Sequence, residues 1–186
     1  MKVLGLDIST SCIGVSVVSL VDGGEVNLEV LSHIKMSSKK TTWEKIDDVR
    51  VFFQAFKIEN PHITHIFVED AMMRFQPGMS SATTISTLLR FNALTSYVVR
   101  DTYEINPEFI SVNHARKECG IKTQRVSKCG KSHKIQVFEH ITANDLKSHS
   151  WPTKKNSVNI VDWAYDEVDS YVIAKAGLLV VNSRSE

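Results

Sequence analysis

Asp7, Glu69, Asp166 and Asp169 are the residues of this 186-residue chain best placed for chemistry. Asp7 closes the apolar run 2–6 and Glu69 closes the run 65–68, so each acid stands at the end of an expected strand. Asp166 and Asp169 lie three residues apart in an expected helix, which projects both from one face. Carboxylates at the ends of neighbouring strands, facing such a pair on a helix packed across the sheet, make a set of hard oxygen ligands for Mg²⁺ or Mn²⁺. Two such ions about 3.5–4 Å apart activate a water and stabilise the leaving oxygen in phosphodiester hydrolysis. Without metal, four gathered anions raise one another's pKa. Each acid alone has an ordinary alternative, because strand-end acids commonly cap turns or face solvent and helical acids commonly lie on an exposed face. Asp162, one turn before Asp166, and the adjacent Glu167 imitate ligands on the same helix.

The elements that must position these acids follow from periodicity. Residues 2–6 and 13–18 read as a hairpin around the small-residue turn Ile8-Ser9-Thr10-Ser11, and 25–35 alternates as a third strand after the turn Asp22-Gly23-Gly24. Apolar residues from Trp43 to Ile58 recur at helical spacing over 42–59, and Pro61 ends that helix. A strand at 65–68, a loop interrupted by Pro77-Gly78, a helix at 80–101 and a strand at 109–112 come next. The second helix carries Ile85, Leu88, Leu89, Ala93, Tyr97 and Val98 as a stripe suited to core packing and to a dimer surface. A short helix at 113–119, a Gly/Lys/Ser-rich loop at 120–130, a helix at 132–141, a polar loop at 142–157 and a final helix at 160–179 complete the chain. Three antiparallel strands followed by strands alternating with helices predict an α/β fold on a mixed five-stranded sheet flanked by helices. No internal repeat or linker divides it, so 1–186 is expected to be a single domain.

With 22 Lys+Arg against 21 Asp+Glu and 42% hydrophobic residues, disorder and a small disulfide scaffold are excluded. Cys12, Cys119 and Cys129 are odd in number and lack framework spacing, which fits reduced thiols. No apolar run approaches the ~20 residues of a membrane span, and Asp7 arrives too early for a signal peptide, so a cytoplasmic protein is expected. The net charge of +1 hides a segregation: 111–159 holds ten Lys/Arg against three Asp/Glu, and the remainder twelve against eighteen. A basic module beside an acidic remainder suits a protein that grips a phosphate backbone and holds metal ions; the alternative is a solvated basic loop.

Leu4-Gly5-Leu6-Asp7-Ile8-Ser9-Thr10-Ser11, with Gly14-Val15-Ser16, resembles the opening of the ribonuclease H-like superfamily, and within it the RuvC-type Holliday junction resolvases. Ile66-Phe67-Val68-Glu69 resembles the segment bearing their second acid, and Asp166-Glu167-Val168-Asp169-Ser170 with Ala174 resembles their closing signature, with Ser170 where an alanine is usual. Lys134-Ile135-Gln136-Val137 is similar to their Lys-x-Gln-Val helix start, whose lysine lies at the active site. The resemblance implies Asp7, Glu69, Asp166 and Asp169 as ligands of two Mg²⁺ ions, replaceable by Mn²⁺. It also implies that Lys134 offsets charge on the scissile phosphate. A family basic position before a glycine corresponds to Arg116 or Lys117, ahead of Gly120. A homodimer is implied that nicks two opposed strands of a four-way DNA junction, leaving 5′-phosphate and 3′-hydroxyl ends. Arg116, Lys117, Lys122, Arg125, Lys128 and Lys131 are then expected on DNA. The family's loop aromatic is replaced by Met72, with Phe75 nearby to pack against the opened junction.

Other chemistries compete. His114, Cys119, Cys129 and His133 are spaced to permit a Zn²⁺ site bracing the basic loop, though no C-x₂-C pair supports it. Actin-like ATPases and sugar kinases also begin with a strand, an acid and a Ser/Thr turn, but 186 residues leave no room for their second half. A DNA-binding module without catalysis, and a nuclease of relaxed specificity for forks and flaps, are the nearer alternatives.

Overall fold

The structure is a computed structural model that describes residues 1–21, 24–70 and 81–184. Strands β1 (Lys2–Ile8) and β2 (Cys12–Leu20) pair antiparallel with Asp7 opposite Gly14. The Ser9 hydroxyl closes their turn, accepting from the Cys12 N–H (3.1 Å) and donating to its carbonyl (2.8 Å). β2 pairs antiparallel with β3 (Val26–Lys35), β1 pairs parallel with β4 (His65–Glu69), and β4 pairs parallel with β5 (Glu108–Ile110). The order β3-β2-β1-β4-β5 is the mixed five-stranded sheet that the sequence predicts.

Helices cover both faces. On one lie α1 (Thr42–Glu59), begun by a reciprocal Thr41–Glu44 capping box, and α2 (Ala82–Tyr103). On the other lie α3 (Val112–Glu118), α5 (His133–Asn144) and α6 (Asp162–Arg184). A single-turn helix, α4 (Val126–Cys129), sits inside the segment expected to be a loop. The 142–157 segment is likewise more tied down than its polarity suggests. α5 continues to Asn144, Thr153 bridges Ile160, and Trp151 packs on Phe138 at 5.1 Å. In α2 the buried phase is Phe91, Asn92, Thr95, Val98 and Val99, whereas Ala93 and Tyr97 face outward, because small polar residues occupy part of the core face. The turn at Asp22-Gly23, the Pro77-Gly78 break, Met72 and Phe75 lie outside the described residues.

Strand alternation fixes which residues meet α6. Leu4, Leu6 and Ile8 of β1 and Ile13, Val15 and Val17 of β2 enter the α1/α2 core, leaving Val3, Gly5 and Asp7 of β1, and Gly14, Ser16 and Val18 of β2, for the other face. α6 is buried on almost every side, between this face and α3 and α5. Its backbone approaches the hairpin so closely that side chains are excluded. A Cβ on Gly5 would stand 2.4 Å from Ala174 N, and one on Gly14 would stand 2.0 Å from the Asp166 carbonyl oxygen. The buried Ser170 hydroxyl donates to the Glu167 carbonyl (2.7 Å), leaving the Ser16 hydroxyl to donate to Ser170 (2.6 Å). Ser170 is therefore one half of a buried pair with Ser16 rather than a neutral replacement for alanine.

Gly14→Ala is expected to push α6 off the hairpin at the residue that carries Asp166. An overpacking cost of about 1–3 kcal/mol corresponds to a fall in Tm of roughly 2–12 °C by calorimetry. An unchanged Tm would show that the helix is not held at this distance.

Candidate active site

Asp7 shares the α6-facing side of β1 with Val3 and Gly5, and Glu69 shares that side of β4 with Phe67. The parallel register ends on Leu6 beside Val68, so the next residues, Asp7 and Glu69, stand side by side. α2 steadies that strand end: the buried Asn92 side-chain amide donates to the Glu69 carbonyl (3.3 Å). From across the sheet α6 brings Asp166 and Asp169, whose side chains are 14% and 20% exposed. Lys134, near the start of α5, donates from Nζ to Asp166 Oδ1 (2.6 Å) and lies 3.9 Å from Asp169 Oδ2. Its ammonium also stands 5.8 Å from the Tyr165 ring centroid.

The four acids interact strongly. Burial, followed by the charges of Glu69, Asp169 and Asp166, holds the Asp7 carboxyl well above the usual carboxylate range. Burial raises Glu69 too, against a hydrogen bond donated by the Asp7 carboxyl and the charges of Arg116 and Lys134. Burial pushes Asp169 up to about 7, with Lys134 opposing and Glu69 reinforcing the shift. Burial disfavours the Lys134 ammonium, but its hydrogen bond to Asp166 and the charges of Asp166, Asp169 and Asp7 outweigh this and raise its pKa. The charge of Arg116 is among the leading influences on both Glu69 and Asp169, so this residue of the Arg116–Lys117 pair faces the carboxylates.

Carboxylate oxygens are the donor chemistry of a hard divalent cation, and Asp7, whose charged form is disfavoured by burial and by the neighbouring acids, is a group such a cation would relieve. The side chains are not gathered into a coordination shell: among the described residues no group of three His, Cys, Asp or Glu is arranged to hold an ion. Lys134 instead supplies positive charge at Asp166.

The imitating acids are sorted by geometry. Asp162 is exposed and paired with Lys154 (2.7 Å). Glu167 is buried and bonded to His33 Nδ1 (2.7 Å), whose ring stacks on Trp163. Cys12 was legible only as a thiol; burial and a hydrogen bond to Asp166 push it up to about 12, so it stays protonated beside the site. The zinc arrangement is not assembled. His114 pairs with Glu118 (3.3 Å), Cys119 donates to the Val172 carbonyl (3.5 Å), and Cys129 donates to the Arg125 carbonyl (3.6 Å).

The basic module forms two adjoining clefts. Arg116, Lys117 and Lys122 line one of about 250 Å³, and Arg125 and Lys128 line another of about 580 Å³, with Thr123 common to both. None of Lys117, Lys122, Arg125 and Lys128 is in a salt bridge among the described residues, whereas Lys131 is paired with Glu139 (2.6 Å). Gln136 pins the loop, accepting from the Gln124 N–H (2.7 Å) and donating to the Gln124 (3.0 Å) and Lys131 (2.9 Å) carbonyls. Its place in Lys-x-Gln-Val was visible in sequence, and its partners were not.

The raised carboxylates make a pH prediction for the metal-free protein. Between about pH 4 and 7 the folded state binds more protons than the unfolded chain, so stability is highest below the ordinary carboxylate range and declines as pH rises toward the folded value of about 7 for Asp169. In EDTA, Tm is expected to fall by roughly 5–10 °C between pH 5 and 8, and Asp169→Asn is expected to flatten the curve. A Tm that rises over this range would contradict the clustering.

No protein-family model matches the sequence, and no curated protein matches it. Solved structures do. The chain is similar to T. thermophilus RuvC in complex with a Holliday junction substrate, at TM-score 0.69 and 11% identity over 98% of this chain and 96% of that one. A second Thermus thermophilus RuvC structure gives 0.63 and 12%, over 99% and 97% of the two chains. The yeast mitochondrial Holliday junction resolvase Ydc2 gives 0.57 and 13%, over 95% of this chain and 77% of that one. The sheet order, the helix across β1 and β2 and these superpositions together assign the chain the ribonuclease H-like fold in the form taken by RuvC-type resolvases.

Proposed function

We propose that this chain is a Mg²⁺-dependent endonuclease that resolves four-way DNA junctions by paired, symmetric nicks, in recombination, repair or the processing of replication intermediates. The observation that carries the reading is the convergence of Asp7, Glu69, Asp166 and Asp169, from β1, β4 and α6, beside Lys134. These four acids are the residues that would hold Mg²⁺, with Mn²⁺ able to replace it. When bound, the ions supply Lewis-acid stabilisation of the phosphoryl oxygens and lower the pKa of the attacking water.

The protein's own groups do the rest. Lys134 keeps its proton and turns from Asp166 toward a non-bridging oxygen of the scissile phosphate, where a fixed positive charge favours the transition state. Arg116 adds a second cation on the Glu69 and Asp169 side. The thiol of Cys12 stays protonated and orients Asp166 as a hydrogen-bond donor rather than attacking phosphorus. Lys117, Lys122, Arg125 and Lys128 hold phosphates of the junction arms, so affinity falls steeply with salt. Two active sites come from a homodimer. Leu89, Ala93 and Tyr97 lie at i, i+4 spacing along α2, and Tyr97 is 58% exposed, an outward ridge suited to a second copy.

Asp7→Asn is expected to lower the single-turnover rate on a four-way junction by 10³-fold or more while leaving junction affinity within about threefold. Cleavage retained in that variant would sink the catalytic assignment. Removal of any one of Lys122, Arg125 or Lys128 is expected to reduce the slope of log K against log salt by about one, as measured by anisotropy titration. Tyr97→Glu is expected to shift sedimentation at micromolar concentration from dimer to monomer and to turn paired nicks into single ones.

A further inference from the structure

A cleft of about 470 Å³ opens between the Cys12 and Lys35 ends of the β2–β3 pair and the first turn of α6. Asp166 borders it, so whatever occupies it lies against the candidate catalytic centre. One wall is the indole of Trp163, and that wall is built. The His33 ring stacks on it with centroids 4.3 Å apart and planes 16° from parallel, and His33 is fixed in turn by the carboxylate of Glu167, whose side chain is 7% exposed. Burying a carboxylate costs stability unless it is paired, and here its pairing orients an aromatic support rather than a metal ligand. Lys35 stands at the mouth, exposed and in no salt bridge among the described residues. Lys154 forms the opposite rim, held by Asp162 (2.7 Å) and by the bridge between Thr153 and Ile160.

An aromatic wall, lysines at the rim and a volume in the range of small-ligand pockets match one nucleotide, whose base and sugar need an apolar surface and whose phosphate needs a cation. We infer that this cleft is a nucleotide subsite, taking the residue of the cleaved strand that flanks the scissile phosphate; the inference rests on the nuclease reading above. The base packs against the Trp163 side, the flanking phosphate meets Lys35, and the scissile phosphate is left beside Asp166. Packing of this kind holds the phosphodiester in register with the carboxylates, so it acts on the rate of cleavage more than on junction affinity.

The test uses the intact protein and four-way junctions in which the cleaved position has been mapped, with a single abasic residue placed on its 5′ or its 3′ side. One of the two abasic junctions is expected to be cut about tenfold more slowly than the intact junction by the wild-type protein, with affinity unchanged. In Trp163→Leu, which keeps an apolar residue at the core edge, intact and abasic junctions are expected to be cut at the same reduced rate. Lys35→Gln, at an exposed position where folding is not at stake, is expected to lose its effect when the flanking phosphate is replaced by an uncharged methylphosphonate. Equal slowing by the abasic residue in wild type and Trp163→Leu, or no slowing in wild type, would overturn the subsite and leave the nuclease standing. Failure of the wild-type protein to cut any branched DNA would overturn both.

Discussion

The contact between the α6 backbone and the β1–β2 hairpin sets the geometry of everything else. Gly5 and Gly14 are the only hairpin positions pressed against it that carry no side chain, and a Cβ at either would overlap α6 backbone atoms. This closeness brings Asp166 and Asp169 over the end of β1, within electrostatic reach of Asp7 and Glu69. The Ser16–Ser170 hydrogen bond and the packing of Gly177 against Phe67 extend the same seat along the helix. α3 and α5 then pack on the outer side of α6, which places Arg116 and Lys134 beside the acids.

Such a seat creates an electrostatic load. Three of the four carboxylates are raised by burial, and two cations answer four potential anions. A fold selected for stability alone would place leucine or valine at these strand ends, as it does one residue earlier at Leu6 and Val68. Lys134 offsets part of the load through its bond to Asp166, and divalent cations would relieve it in a nuclease. The same balance makes the region sensitive to pH, and in the proposed nuclease it leaves Lys134 able to turn from Asp166 to a substrate phosphate.

Most of the fold was legible in the sequence, because strand alternation and helical spacing are local signals. All five strands and the five longer helices fall within a few residues of their expected bounds, with Asp7 and Glu69 near the ends of β1 and β4 and Asp166 and Asp169 three residues apart on the last helix, as their spacing predicts. What escaped depends on pairing across the chain. Glu167 and His33 are separated by 134 positions, and nothing local distinguishes Glu167 from a ligand until β3 is seen to lie beside α6. Asn92 supports Glu69 from a helix whose buried face is rotated away from most of its apolar stripe, since Asn92 and Thr95 are polar residues on the core side. Arg116 and Lys117 are equivalent in sequence and separate only when α3 is docked. Gln136 and Trp151 order loops whose composition reads as free, through contacts made by a single side chain each.

The central claim is that this seat presents a carboxylate cluster that cuts branched DNA. The most direct measurement is incubation of the protein with a synthetic four-way junction, a fork and a linear duplex in Mg²⁺, with cleavage mapped on every strand. The account predicts symmetric nicks on two opposed strands of the junction, no cleavage in EDTA, and an intact linear duplex. Cleavage of all three substrates alike, or of none, would contradict it.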